Sequence, residues 1–179
     1  MANLGFGQPM GGVMQMAYIV EDLDAAIAGW IRDLNVGPWF RLDHWTGADP
    51  VYRGGPSTAA VRIAMAFAGH MQIELIQPKD DCPSVYKETR DARGFGFHHF
   101  GLACADVEAD IKAYQARGFA LAFKAGVPTG GCVAYMDGGP DQPGFIELIA
   151  ATPGMDEAFT RFWRASIGWD GRDPIRPFA

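Results

Sequence analysis

Met14 to Val20 is a strand-like run, and after Asp22 the apolar positions move to helical spacing at Leu23, Ile27, Trp30, Ile31 and Leu34. The pattern predicts a strand followed by a helix that Asp22 caps and that Asn35 and Gly37-Pro38 end. Trp39 to Trp45 is aromatic and reads as a strand, whereas Thr46 to Ser57 is rich in Gly, Pro and Asp and reads as a long loop. Loops of that length inside compact domains tend to be functional. Thr58 to Phe67 and His70 to Gln77 form a predicted hairpin turning at Ala68-Gly69, and Pro78 closes the segment. Lys79 to Arg93 is polar, with a short helix expected from Pro83 to Arg90, and reads as a linker.

Beyond the linker the pattern restarts. Gln15-Met-Ala-Tyr-Ile-Val-Glu-Asp22-Leu-Asp-Ala-Ala-Ile27 aligns without a gap with His99-Phe-Gly-Leu-Ala-Cys-Ala-Asp106-Val-Glu-Ala-Asp-Ile111. Ile73-Glu74-Leu75-Ile76 recurs as Ile146-Glu147-Leu148-Ile149. The second copy is expected to hold a strand from Phe97 to Cys104, a helix from Asp106 to Arg117 with Gly118 at its end, and strands near Ala120 to Lys124, Cys132 to Met136 and Gly144 to Ile149. The chain therefore reads as an internal duplication of the α+β class: two tandem βαβββ modules, residues 1–91 and 92–179, forming a curved mixed sheet with a cleft. A helix from Asp156 to Ile167 and an extension from Gly168 follow, with Trp163 and Trp169 near enough in sequence to cover a pocket mouth.

The composition narrows the classes of function. A chain of 179 residues that is 49% apolar can bury a sizeable core, which argues against disorder. A net charge of -6, with basic residues scattered singly, argues against a nucleic-acid surface. The N-terminal stretch has neither a basic start nor a continuous apolar core, so neither a signal peptide nor a membrane anchor is expected, and a cytoplasmic location follows by default. Cys82, Cys104 and Cys132 match neither a disulfide framework nor a Cys-x-x-Cys metal site and read as reduced, individually buried thiols.

In this frame four polar side chains acquire chemistry. Each copy opens on a strand carrying a potential ligand, Gln15 or His99, and closes on one carrying a glutamate, Glu74 or Glu147. A single glutamate in a strand more often faces solvent, and a lone histidine is more often a core residue bonded to a carbonyl. The exact recurrence of the glutamate favours the interior. His99 shares register with Gln15, and alternation would turn His98 to the opposite face as a structural or supporting residue. One imidazole, one amide oxygen and two carboxylates suit Zn, Ni, Co, Mn or Fe(II). Such an ion polarises a carbonyl while an adjacent carboxylate removes a proton from the neighbouring carbon.

These paired modules resemble the vicinal oxygen chelate superfamily, specifically its glyoxalase and methylmalonyl-CoA epimerase group, over roughly Val13 to Pro153. The resemblance implies metal ligands at Gln15, Glu74, His99 and Glu147, a set similar to that of zinc-type glyoxalase I. Glu74-Leu-Ile-Gln-Pro through Gly94-Phe-Gly-Phe-His-His-Phe resembles the epimerases more closely. It further implies a homodimer and a metal-dependent isomerase, epimerase or lyase acting through an enolate, with Glu147 as base and Glu74 second. The expected substrate is a small molecule, apolar or thioester-linked. The epimerases use a second glutamate on an early strand, yet none occurs between Asp22 and Glu74, which leaves Asp43, His44 and Tyr52 as alternatives. Other activities of the same superfamily are glyoxalase I itself, which binds glutathione through basic residues, Fe(II) ring-cleaving dioxygenation, and non-catalytic binding of antibiotics. Gln15 in a histidine position counts against the dioxygenase, and four ligand-type residues count against the binding protein.

Overall fold

The computed structural model describes residues 2–179 and contains eleven strands in one sheet, with four helices, among the described residues. The N-terminal half runs β1 (Val13–Ile19), α1 (Leu23–Leu34), β2 (Trp39–Trp45), β3 (Ala48–Tyr52), β4 (Gly55–Pro56), β5 (Val61–Ala68) and β6 (Met71–Pro78). After α2 (Val85–Arg93), the C-terminal half runs β7 (Gly96–Cys104), α3 (Val107–Ala116), β8 (Ala120–Gly126), β9 (Cys132–Asp137) and β10 (Phe145–Ala150). α4 (Pro153–Ser166) and β11 (Ile175–Pro177) complete the chain. The boundary expected after residue 91 falls in the last turn of α2.

Matching caps begin the matching helices. The Asp22 carboxylate accepts from the Ala25 N–H and the Asp106 carboxylate from the Ala109 N–H, each at 3.0 Å, satisfying donors that a helix start leaves free. α1 ends at Asn35 in the left-handed conformation, which asparagine tolerates. On the face of the sheet covered by the helices, Leu23 and Ile27 of α1 pack with Ile73 and Leu75, while Val107 and Ile111 of α3 pack with Ala134 and Leu148. Strand alternation then turns Glu74 and Glu147 to the opposite face.

The strand order is β11-β2-β5-β6-β1-β7-β10-β9-β8-β3-β4, so β1 and β7 join the two halves antiparallel at the centre. Gln15 pairs with Gly101 and Ala17 with His99. The duplicated positions differ by 84 in sequence, as Gln15 and His99 do, so these pairs exchange under a local two-fold. Thr46 to Ser57, expected to be a loop, instead contains β3 and β4, and β3 pairs with β8 of the other half. Only Thr46 and Gly47 separate β2, near one end of the strand order, from β3, near the other. The sheet must therefore curl until its ends approach, and Trp45 meets Phe123 of β8 edge-on at 6.1 Å.

α4 packs inside this curl. Phe159 and Phe162 join the core formed by Phe40, Ile63 and Met65, and Phe162 stacks on Phe40 at 3.9 Å. The tryptophans of the tail do not cover the mouth: Trp163 stacks on His70, and the Trp169 ring lies so close to Gly37 that a Cβ there would sit 2.4 Å from it. Cys104 is buried, but Cys82 and Cys132 are only half-buried, and all three are free thiols. No helix among the described residues is long and apolar enough to cross a membrane.

Candidate metal centre

At the centre of the concave face, the four side chains anticipated from sequence converge on one point. His99 Nε2 lies 3.0 Å from Glu147 Oε2, 3.4 Å from Glu74 Oε2 and 3.3 Å from Gln15 Oε1. None of the four is more than 5% exposed, which excludes a solvent-facing row. The local two-fold produces this convergence. It sets Gln15 beside His99 on the paired central strands, while β6 flanks β1 and β10 flanks β7 in parallel, bringing one glutamate in from each side.

Small residues make room. A Cβ at Gly101 would stand 2.4 Å from Gln15 Oε1, so glycine there is what lets the amide lie across the strand. The Gln15 amide is aimed by Gln72, whose Oε1 accepts from Gln15 Nε2 at 2.8 Å and leaves Gln15 Oε1 turned toward His99. Gln72 was not singled out from sequence. It sits two residues before Glu74 and faces the same side, which is the signal that could have found it.

His98 departs from expectation. It packs beside His99 rather than on the opposite face, because β1 advances from Ala17 to Tyr18 while β7 passes from His99 to Phe97. His98 is the extra residue of a β-bulge, and a bulge breaks alternation. The equivalent irregularity in β1, between Val13 and Gln15, leaves out Met14. Both are wholly buried.

The bulge sets the protonation of the centre. His98 Nε2 lies 3.3 Å from the Val85 carbonyl, which can only accept, so that nitrogen carries a hydrogen. Burial, then the adjacent His99, pushes the His98 pKa well below its usual value, so the ring is neutral and its Nδ1 is an acceptor. The 2.8 Å contact between the two Nδ1 atoms is then a hydrogen bond donated by His99. His99 Nε2 is then the nitrogen that faces the three oxygens.

That arrangement could hold a cation. Burial and then the charge of Glu147 raise the pKa of Glu74 well above 4.5, and Glu74 Oε2 has no hydrogen-bond partner. Two glutamate carboxyls, an amide oxygen and an imidazole nitrogen around one point, with no lysine or arginine among the described residues lining the adjoining pocket, could serve as a donor set for a divalent ion. Glu74, His99 and Glu147 can each bring a ligand atom within 4.8 Å of the others. The set fits the ion that the sequence implied.

Tyr135 is a further pocket residue not anticipated from sequence; its phenol is kept protonated by burial and then by the charge of Glu147, its ladder partner. The three alternatives for a second base lie elsewhere. Asp43 pairs with Arg41 and Arg62 at the surface, His44 is exposed beside Lys79, and the Tyr52 hydroxyl donates to Glu88. None lines the pocket.

The chain belongs to the glyoxalase/bleomycin resistance protein/dioxygenase superfamily, whose family profile matches residues 14–135. No curated protein sequence matches it. Among solved structures it is similar to methylmalonyl-CoA epimerase from Mycobacterium tuberculosis, at a TM-score of 0.59 and 19% identity, covering 88% of this chain and 95% of that one. A variant epimerase from Streptomyces coelicolor, in complex with 2-nitronate-propionyl-CoA, gives 0.58 at 14% identity over 81% of this chain and 97% of its own. A hypothetical protein from Bacillus halodurans gives 0.58 at 17% identity, covering 79% and 94%. At these identities the likeness is one of fold.

Proposed function

We propose that the protein is a divalent-metal-dependent isomerase or epimerase acting on a small enolisable carbonyl compound. Gln15, Glu74, His99 and Glu147 would hold the ion. The observation that carries this reading is the convergence of two buried glutamates and the Gln15 amide oxygen on His99 Nε2, with no lysine or arginine among the described residues lining the pocket. When bound, the ion supplies Lewis-acid polarisation of substrate oxygen.

The chain's own residues account for the proton. Glu147 takes a proton from the carbon beside the carbonyl; the C–H pair moves into the adjoining C–C bond as the C=O π pair moves onto oxygen, giving an enolate, and a proton returns from the same carboxyl to a neighbouring carbon or from Glu74 to the opposite face. Glu147 is favoured as base because its ladder partner Tyr135 brings a phenol to the pocket, whereas Met65, the corresponding partner of Glu74, brings only a thioether. His98 and Gln72 hold His99 and Gln15 in orientation. The absence of a pocket-lining residue among Asp43, His44 and Tyr52 favours these two glutamates as the acid-base pair.

Deuterium uptake tests the reading. Metal-loaded protein should wash deuterium from heavy water into the carbon acid of an α-hydroxy carbonyl compound, and chelator-stripped protein should not. Equal uptake by both forms would remove the metal from the account.

A further inference from the structure

The pocket that opens onto Gln15, Glu74 and Glu147 is closed by the chain's own C-terminal segment, and its lining is chemically one-sided. Its volume is about 60 Å³, well below the roughly 300–1,000 Å³ usual for small-molecule sites, so it holds only a compact ligand. Leu42, Trp45, Ile63 and Met65 line one side, with Val133 and Ile149 on the other. Among the described residues no cationic side chain lines it. An ion held by two carboxylates is already neutralised, so a phosphate or free carboxylate on the substrate body would be buried without a partner. An apolar or aromatic body would instead displace water from hydrocarbon walls.

Phe178 forms the outer wall, and Phe159 of α4 also lines the pocket. Phe178 and the Pro128-Thr129 turn line this pocket and also a separate outer hollow beside Arg161, so they form the partition between interior and exterior. The partition is anchored at several points. The Phe178 N–H donates to the Arg41 carbonyl at 3.1 Å, its own carbonyl accepts from the Arg161 guanidinium, and its ring meets Phe162 edge-on at 5.2 Å. β11, just before it, is pinned by parallel pairing to β2. α4, β11 and Phe178 lie beyond residue 135, where the family match ends.

We propose that the substrate is a compact carbonyl compound with an uncharged, apolar or aromatic body, and that Phe178 sets the upper limit on its size. The proposal rests on the functional reading above, and the two can be told apart by experiment. Cobalt-loaded wild-type protein, Phe178→Ala and Phe178→Trp are titrated by calorimetry with 2-hydroxyacetophenone, its 4′-phenyl analogue and dihydroxyacetone phosphate, and metal content is measured in each. Wild type should bind 2-hydroxyacetophenone about tenfold or more tighter than the other two. Phe178→Ala should bring the 4′-phenyl analogue to near parity, Phe178→Trp should weaken 2-hydroxyacetophenone, and metal content should stay the same in all three. Retained metal with size selection unchanged across position 178 overturns the role of Phe178, and phosphate bound as tightly as the phenyl ketone, or no ketone binding by wild type, overturns the substrate class. If no metal binds but size selection still follows residue 178, the metal reading falls and the wall stands.

Discussion

The two halves of the sheet present the same backbone to the same point and furnish it with different chemistry. In the C-terminal half His99 is oriented by the bulged His98, and Tyr135 stands across the ladder from Glu147. In the N-terminal half the equivalent positions hold Gln15, the bulged Met14, and Met65 across from Glu74. The amide of Gln15 is oriented by Gln72, two residues along β6 from Glu74, whereas the corresponding residue before Glu147 is Phe145. Duplication thus supplies a two-fold frame in which each half gives one carboxylate and one neutral donor. Divergence then gives the C-terminal half the only nitrogen donor, the hydrogen-bonded relay and the phenol, while the N-terminal half gives an oxygen donor in an aliphatic setting. On the proposed reading, this asymmetry puts the base on one side of a nearly symmetric centre.

The comparison breaks most readily at the glutamates. Glu147→Gln should lower metal-normalised deuterium exchange by roughly a hundred- to ten-thousandfold, the usual cost of losing a general base, while Glu74→Gln should leave much more of it. Rates per bound metal check this, and the reverse order would transfer the base to the N-terminal half.

The neutral donors come next. His99→Ala should weaken metal binding more than Gln15→Ala, because it removes the sole nitrogen. His98→Phe should cost on the order of 10- to 100-fold in affinity, as loss of a group orienting a ligand usually does, and Met14→Leu should cost little. Competition against a chromogenic chelator measures all four, and equal effects at positions 14 and 98 would deny His98 its orienting role.

A smaller effect is read from stability against pH. Without metal, folded Glu74 holds its proton above the ordinary 4.5, so its contribution to stability is full below that value and is lost as pH rises through the raised folded pKa. The melting temperature of the metal-free protein should carry a component that falls with rising pH, absent from Glu74→Gln and from the metal-loaded form. Scanning calorimetry across pH 4 to 8 checks it, and identical slopes in all three forms would contradict the buried, uncompensated carboxylate.

Much of this was legible in the sequence, because duplication leaves exact traces. The Ile-Glu-Leu-Ile repeat and the paired caps Asp22 and Asp106 identify equivalent elements, and equivalence alone aligns Gln15 with His99. What was hidden depends on pairings between distant segments. His98 looked turned away because alternation assumes unbroken pairing, and one unpaired residue reverses the face. The polar run Ala-Asp-Pro-Val-Tyr of β3 has no strand signature, and forms one only because β8 of the other half offers an edge. Phe178 lies in a three-residue-strand tail whose place is set by the edge of β2, so no local pattern marks it as a pocket wall.

The central claim is that both halves build one divalent-metal site, and cobalt(II) titration followed by its visible absorption tests it most directly. The account predicts one ion per chain whatever the state of assembly, since all four donors come from a single chain, and loss of the tight site in Glu74→Ala and Glu147→Ala alike. No stoichiometric binding by the wild type, or a site surviving intact when either half loses its glutamate, would contradict it.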